Sequence, residues 1–363
     1  MISMFNYNKS DVSLFNDIVD GVNESVRISL EGIKDRKAYD EMQKEINNCF
    51  AKYVISNTRY EAKFEAEGAE ILKNPNVTKN RTVRENFDAV IAEIINSAIP
   101  LTTSANFGET FMDVRQIGWG DTARFLISSN DLFKVNEIAE GVQRGILQPI
   151  FNNEVTVNCG PIQIATGVDW YLVAAGNFDW GNFGMRAGAS FNGYIMLKAI
   201  AALATAIGTQ SAAYTQAGVA TNSWATLSQR VSAANGGAPV YALGTLAALN
   251  QAVPSTVGLQ YGLGGEVAKE GHLDRYLATR LIPFDQFIVP GTVNSTAELG
   301  IKDDKIYMVA ADAYKPVKVV YEGNSVVIEE DPTRTTDKFY GIAVTMRVGV
   351  AGVIGSKIGV ITL

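Results

Sequence analysis

The sequence predicts an α+β fold, with helices gathered toward its N-terminus and short strands dominating its C-terminal end. Three observations predict it. Apolar residues recur at helical spacing as far as Ile99. A long apolar helix is written between Asp179 and Gly208. From Phe107 to Gly176, and again after Lys305, the texture changes to the alternation of half-buried strands.

The stretch Asp179 to Gly208 organises the rest. Phe191, Ile195, Ala199, Ala202 and Ala206 form one stripe, and Met196, Ile200, Leu203 and Ile207 a second beside it. Counted from about Ala187, the helix would be a rod of roughly 30 Å. Lys198 is the only charge after Arg186, so this helix is expected to lie against a sheet or a neighbouring subunit rather than in water. It has the length of a membrane span. Arg186, Asn192, Lys198, Thr205 and several glycines interrupt it, and no basic flank adjoins it, so no membrane is expected.

The N-terminal part reads as two or three short helices between Ser10, an N-cap, and about Ala51, with Gly21 and Gly32 as breaks. Lys73 to Thr82 reads as a loop. Val83 to Ile99 is an amphipathic helix ended by Pro100. Alternation in Ala123 to Ile138 and in Asn153 to Gly176 predicts the two arms of a long β-hairpin with Trp119 near its base. Such a hairpin is marginal alone and is expected to lie on an adjacent chain. A helix is predicted at Asn222 to Ala234, a buried strand at Ala238 to Thr245, and a helix at Leu243 to Val253. Gly258 to His272 reads as a flexible loop, and Asp274 to Gly291 as two apolar runs around a proline turn. Strands follow at Lys305 to Ala311, Lys315 to Glu322 and Ser325 to Asp331, the last two joined by a Gly323-Asn324 hairpin turn. Phe339 to Leu363 is close to continuous β-former.

At 363 residues the chain has room for about two domains. Hydrophobic residues at 47% and charged residues at 19% suit a protein that buries outer surface against copies of itself. The net charge of −7 argues against a surface built to neutralise nucleic-acid phosphates. Cys49 and Cys159 define no disulfide framework and are expected to be reduced thiols. The opening residues lack the pattern of a signal peptide, which predicts folding in a cytoplasm and leaves the sequons at Asn23, Asn76, Asn80 and Asn294 without meaning for glycosylation.

Reactive groups are sparse. His272 is the only histidine, and it reads as an exposed loop residue rather than as the centre of a triad. Cys49 and Cys159 have no second ligand at zinc spacing. Gly262 to Glu266 lacks the Gly-Lys-Ser/Thr ending of a P-loop. Asp303-Asp304 and Glu329-Glu330-Asp331 lack EF-hand spacing and read as solvated turns. No catalytic, cofactor-binding or metal-ligating residue is assigned, and no enzyme activity or cofactor is expected.

GDTARFLI (Gly120 to Ile127), the Asp179 to Gly208 helix, VYALGTLAALNQAV (Val240 to Val253), TRLIPFDQFIVPG, DDKIYMVAA and FYGIAVTMRVGVAGV follow one another in a telling order. From about Phe107 to Leu363 this order resembles the major capsid protein of tailed bacteriophages, the Hong Kong 97 fold. The resemblance implies an N-terminal arm over residues 1–106, an extended loop over 107–176 and a spine helix over 177–208. It further implies an axial domain over 209–331 and a returning β segment of the peripheral domain over 332–363. The implied function is structural: self-assembly, as pentamers and hexamers, into an icosahedral shell around double-stranded DNA held without sequence-specific binding. Scaffolding, portal and decoration proteins are the further partners it admits, with assembly in a bacterial cytoplasm and residence in the virion. A start at Met1 favours an uncleaved arm. Two alternatives stay open: an encapsulin-like compartment on the same fold, and an α/β hydrolase or binding enzyme with a β-rich appendage.

Overall fold

A computed structural model describes residues 9–101, 111–128, 135, 137, 152–252, 271–311, 314–329 and 339–363. The chain forms two units: Met1–Thr103 with Gly160–Asn192 and Gly323–Arg347, and Ser104–Cys159 with Gly193–Glu322 and Val348–Leu363.

The first unit is mainly helical. Helix α1 (Lys9–Glu31) presents Ile18, Val22 and Val26 on one face, all fully buried. It runs through Gly21, where a break was expected. A Cβ there would stand 3.2 Å from Ile46 Cγ1 of α2 (Arg36–Ile55), so the glycine serves close helix packing and not helix termination. Gly32, at φ 89°, is the residue that stops α1. Asp35 then caps α2, its carboxylate accepting from the Lys37 and Ala38 amides.

After α3 (Glu61–Glu67) and a 3₁₀ turn, the expected loop at Lys73 to Thr82 instead holds α4 (Pro75–Thr78) and the start of α5 (Arg81–Leu101). Asn74 accepts from the Asn76 amide and Asn80 from the Thr82 amide, so the asparagines that read as loop residues are helix caps. Helix α5 ends at Leu101, next to the Pro100 expected to end it. Phe50 packs edge-on against Phe87, with ring centroids 5.3 Å apart, and tilts over Trp180 at 4.3 Å.

Strand β1 (Met112–Ile117) leads by a turn at Trp119 into β2 (Ala123–Ser128), which pairs antiparallel with β3 (Asn152–Val157) from Ala123↔Val157 to Ser128↔Asn152. These pairs form the base of the expected hairpin. Its outer part, including most of 129–151, lies outside the described residues. The second arm is not one strand to Gly176. It ends at Val157, and β4 (Gly160–Asp169) joins another sheet before α6 (Trp170–Ala174). The chain changes sheet at Asn158, where a Cβ on Gly349 would stand 2.7 Å from the Asn158 carbonyl oxygen.

Helix α7 (Trp180–Gly208) has 29 residues and starts well before Ala187, giving about 44 Å of rod. Asp179 caps it by accepting from the Asn182 amide. Buried Phe191, Ile195, Ala199 and Ala206 bear out one expected stripe, and Met196 and Leu203 the other.

Further on come β5 (Thr215–Ala217), α8 (Thr221–Ala234), β6 (Val240–Gly244), α9 (Leu246–Ala252), β7 (Arg275–Tyr276), β8 (Thr279–Pro283) and β9 (Lys305–Ala310). The chain closes with β10 (Val317–Glu329), β11 (Phe339–Gly352) and β12 (Gly359–Thr362). Six strands make one sheet in the order β5-β12-β9-β6-β8-β7. Helix α8 covers it with Trp224, Leu227 and Val231, at successive turns of one face and all fully buried. A second sheet runs β1-β10-β11-β4. Strand β10 is continuous where a Gly323-Asn324 hairpin was expected. Gly323 does take a positive φ of 65°, but β10 is held by neighbours distant in sequence, β1 and β11, and does not fold back on itself. The final block is interrupted between Gly352 and Gly359 and supplies strands to both sheets.

Candidate assembly interface

The base of the hairpin is built around a buried cation. Asp113 and Lys318 face each other across the parallel β1–β10 pair, with Nζ to Oδ2 at 2.9 Å. Lys318 is 1% exposed, and its ammonium lies 5.3 Å from the ring centre of Phe125 and 4.2 Å from that of Tyr314. Arg115 covers Phe125 as well, at 4.2 Å, and reaches Asp113 at 3.5 Å. Burial alone would raise the Asp113 carboxyl. The hydrogen bond and charge of Lys318, aided by Arg115, hold it below its ordinary value. Tyr314 Oη donates to the Leu126 carbonyl, and buried Glu322 accepts from the Gly120 amide. Phe125 packs with Ala123, Val157 and Val320 beneath this cluster. Electrostatics and apolar packing thus fix where the hairpin leaves the sheet.

The hairpin region exposes apolar side chains. Leu126 is 69% exposed, Trp119 56% and Val135 93%. Large apolar groups left bare favour contact with another chain. A further set stands on the six-stranded-sheet side of the same unit, where Val293, Leu299 and Ile288 are exposed around the Ile288↔Leu299 bridge.

Among the described residues, those singled out for chemistry are not brought together. His272 is buried, correcting the expectation of an exposed loop position. Its neighbour Leu273 belongs to the core under α8 and draws it inward. Asp303 accepts from the Thr245 hydroxyl, which also caps α9 by accepting from the Ala248 amide. Neither Cys49 nor Cys159 is in a disulfide; Cys159 Sγ donates to the Val320 carbonyl, and burial pushes the Cys49 thiol up from its ordinary value. Gly262 to Glu266 and Glu330-Asp331 lie outside the described residues. Among the described residues, no group of three His, Cys, Asp or Glu stands close enough to hold a metal ion. The Lys318 cluster was missed by sequence reading. Its one signal was a lysine set among apolar residues in KPVKVVYE, and pairing between strands two hundred residues apart gave that signal its meaning.

Residues 13–362 match the family described as "SPbeta prophage-derived putative capsid protein YonB". The chain belongs to this capsid-protein family. It is a structural protein of a phage shell, and its place is the virion. The described elements follow one another as helical N-terminal region, hairpin base, long helix, α/β region and closing strands, the order expected from the sequence. No curated relative matches in sequence. Among solved structures the chain is similar to the capsid of cyanophage P-SCSP1u, at 12% identity and a TM-score of 0.46, covering 72% of this chain and 88% of that one. It is similar to the virus-like particle from Pyrococcus furiosus, at 12% identity and a TM-score of 0.44, covering 76% and 99%. It is also similar to the mature capsid of bacteriophage PhiM1, at 10% identity and a TM-score of 0.44, covering 69% and 85%.

Proposed function

We propose that this capsid protein closes the icosahedral shell that encloses the double-stranded DNA of a tailed phage, assembling as pentamers and hexamers in the cytoplasm of a bacterial host. The family match over nearly the whole chain carries the reading. Residues 1–106 act as the N-terminal arm, 107–176 as the extended loop lying on an adjacent subunit and 177–208 as the spine. Residues 209–331 form the axial domain around the symmetry axes, and 332–363 return to the peripheral domain. A closed shell needs many moderate interfaces, and extensions that reach over neighbours add buried area without requiring one rigid geometry. DNA is retained by enclosure, which suits a chain of net charge −7. Scaffolding, portal and decoration proteins are its further partners, and the chain performs no reaction of its own.

Negative-stain electron microscopy with sedimentation tests this. Closed shells or rings of five and six are expected from the purified chain. Deleting Leu132 to Asn152 is expected to leave the six-stranded-sheet unit folded and to abolish stable shells. A chain that stays monomeric with scaffold supplied, or normal shells from the deletion variant, would overturn the reading.

A further inference from the structure

Strand β8 separates two exposed surfaces of unlike charge. At its start, the two-residue turn Leu277-Ala278 joins it to β7. At its end the chain leaves through Phe284, whose amide donates to the Gly244 carbonyl, and it comes back at Lys305, where β9 begins and Ile306 pairs with Gly244. Residues 284–304 are therefore a tongue rooted at the end of the six-stranded sheet opposite the turn, about 16 Å away along the five residues of β8.

The turn end is basic. Arg275 and Arg280 are direct cross-strand partners and both are exposed, and like charges so placed weaken a pair of strands. Asp274 lies 3.9 Å from Arg275 Nε and 3.6 Å from Arg280 Nε, so one carboxylate is shared between two guanidiniums. Leu277 stands at the tip, 45% exposed, with a φ of 46° that a leucine adopts only at a cost. Local strain and local repulsion in one hairpin point to a compensating contact outside it.

The tongue is acidic and apolar. From Asp285 to Asp304 it carries four carboxylates, Asp285, Glu298, Asp303 and Asp304, against Lys302. Asp285 and Glu298 are exposed, and beside them in the chain Ile288, Val293 and Leu299 are 42%, 62% and 48% exposed. The backbone beneath is braced from within. The Val289 amide donates to the Glu298 carbonyl and the Gly300 amide to the Phe287 carbonyl, each at 2.8 Å, while Thr292 Oγ1 accepts from the Glu298 amide and donates to the Val289 carbonyl. Apolar side chains held out on a preorganised frame lose little freedom when a partner covers them.

We infer, resting on the shell reading above, that the β7–β8 turn of one copy docks on the tongue of a second copy, with Leu277 against Ile288, Val293 and Leu299 and the two arginines facing Asp285 and Glu298. Two observations select a second copy as the occupant. The surfaces are complementary in charge and both carry bare apolar side chains, and complementary charge around an apolar contact is what fixes register between partners. They are also rooted at opposite ends of one sheet, so the tongue that the turn meets belongs to another copy, and every copy offers one surface of each kind. A contact between unlike patches is head-to-tail, the kind that propagates from copy to copy and closes into rings.

The full chain carrying both Leu277→Cys and Val293→Cys tests this in assembled shells treated with a short bis-maleimide, with the parent chain treated alongside because Cys49 and Cys159 are present. Head-to-tail docking is expected to give a ladder of linked chains longer than dimers. In shells of mixed isotope-labelled and unlabelled copies, mass spectrometry is expected to place the links between position 277 of one copy and position 293 of another. Shells in which position 277 links only to position 277 of another copy, or to no other copy, would overturn the docking assignment and leave the shell reading standing. Charge reversal gives a second test. Arg275→Glu with Arg280→Glu, and Asp285→Arg with Glu298→Arg, are each expected to lower shell yield roughly tenfold, and all four together to restore it. Parent yield from either pair, or no recovery from the four, would also overturn the assignment. Should a charge variant fail to fold by circular dichroism, the crosslink decides. If the unmodified chain forms no shells, the shell reading falls first, and this inference with it.

Discussion

Leu277 and Ala278 hold φ values of 46° and 64° in the two-residue turn between Tyr276 and Thr279. A two-residue hairpin of this hand demands positive φ at both positions, which Asn-Gly supplies at least cost. Leucine and alanine there store strain. Replacing both, as Leu277→Asn with Ala278→Gly, is expected to stabilise the six-stranded-sheet unit by about 1 kcal/mol, read as a rise in Tm. Gly352 makes the opposite case. A Cβ there would stand 2.1 Å from the Ala202 carbonyl oxygen on the long helix and 2.9 Å from Ala206 Cβ. Gly352→Ala is expected to destabilise by about 1–3 kcal/mol in thermal unfolding. Gly208, with nothing within 4 Å of the same added atom, is the control, and Gly208→Ala is expected to be neutral or mildly stabilising. Alanines at 199, 202 and 206 leave room on the helix for a close backbone approach. Which glycine makes that approach is a property of the fold.

At the scale of elements, two buried polar arrangements hold strands and helices in place. Trp180 Nε1 donates to Asn47 Oδ1 at 2.9 Å, and the Trp180 amide donates to Gln43 Oε1 at 3.0 Å, so α2 is keyed to the start of α7. Tyr39 Oη donates to Asp179 at 2.7 Å, and burial with that carboxylate nearby pushes the phenol up to about 12. Asn47→Ala is expected to cost about 1–3 kcal/mol, because the indole N–H stays buried without its partner. The Lys318–Asp113 pair does the same for the hairpin. Its carboxyl is depressed, so its contribution is present above the unfolded value of about 3.9 and is lost as pH falls through the lower folded value. Acid unfolding followed by circular dichroism is expected to show wild type more stable than Asp113→Asn near neutrality, with the gap closing below about pH 4. A gap independent of pH would remove Asp113 from this role.

For the whole molecule, charge and apolar surface act against each other. Each copy carries a net charge of −7, so copies repel over distances longer than a Debye length. The exposed Trp119, Leu126 and Val135 favour association at contact. Raising ionic strength from about 0.01 M to about 0.15 M shortens the screening length from about 30 Å to about 8 Å. Assembly followed by light scattering is therefore expected to speed up over that range. Slower assembly at higher salt would mean that attraction between unlike charges, and not apolar contact, drives the shell.

The sequence alone determined several elements and their order: the long double-striped helix, the helix at Asn222 to Ala234, the Val240 strand with its following helix, and a strand opening the Ala123 to Ile138 arm. Each of these is announced by local periodicity, which depends only on how side chains repeat along a helix or strand. Tertiary structure decided what local chemistry left ambiguous. Gly21 could end a helix or admit a neighbour, Asn74 and Asn80 could make a loop or cap helices, and Gly323-Asn324 could turn a hairpin or lie within one strand. The outcome at each depended on whether a partner distant in sequence offered better hydrogen bonds or closer packing. The Lys318 cluster belongs to the same class, since it exists only where segments far apart in the chain meet.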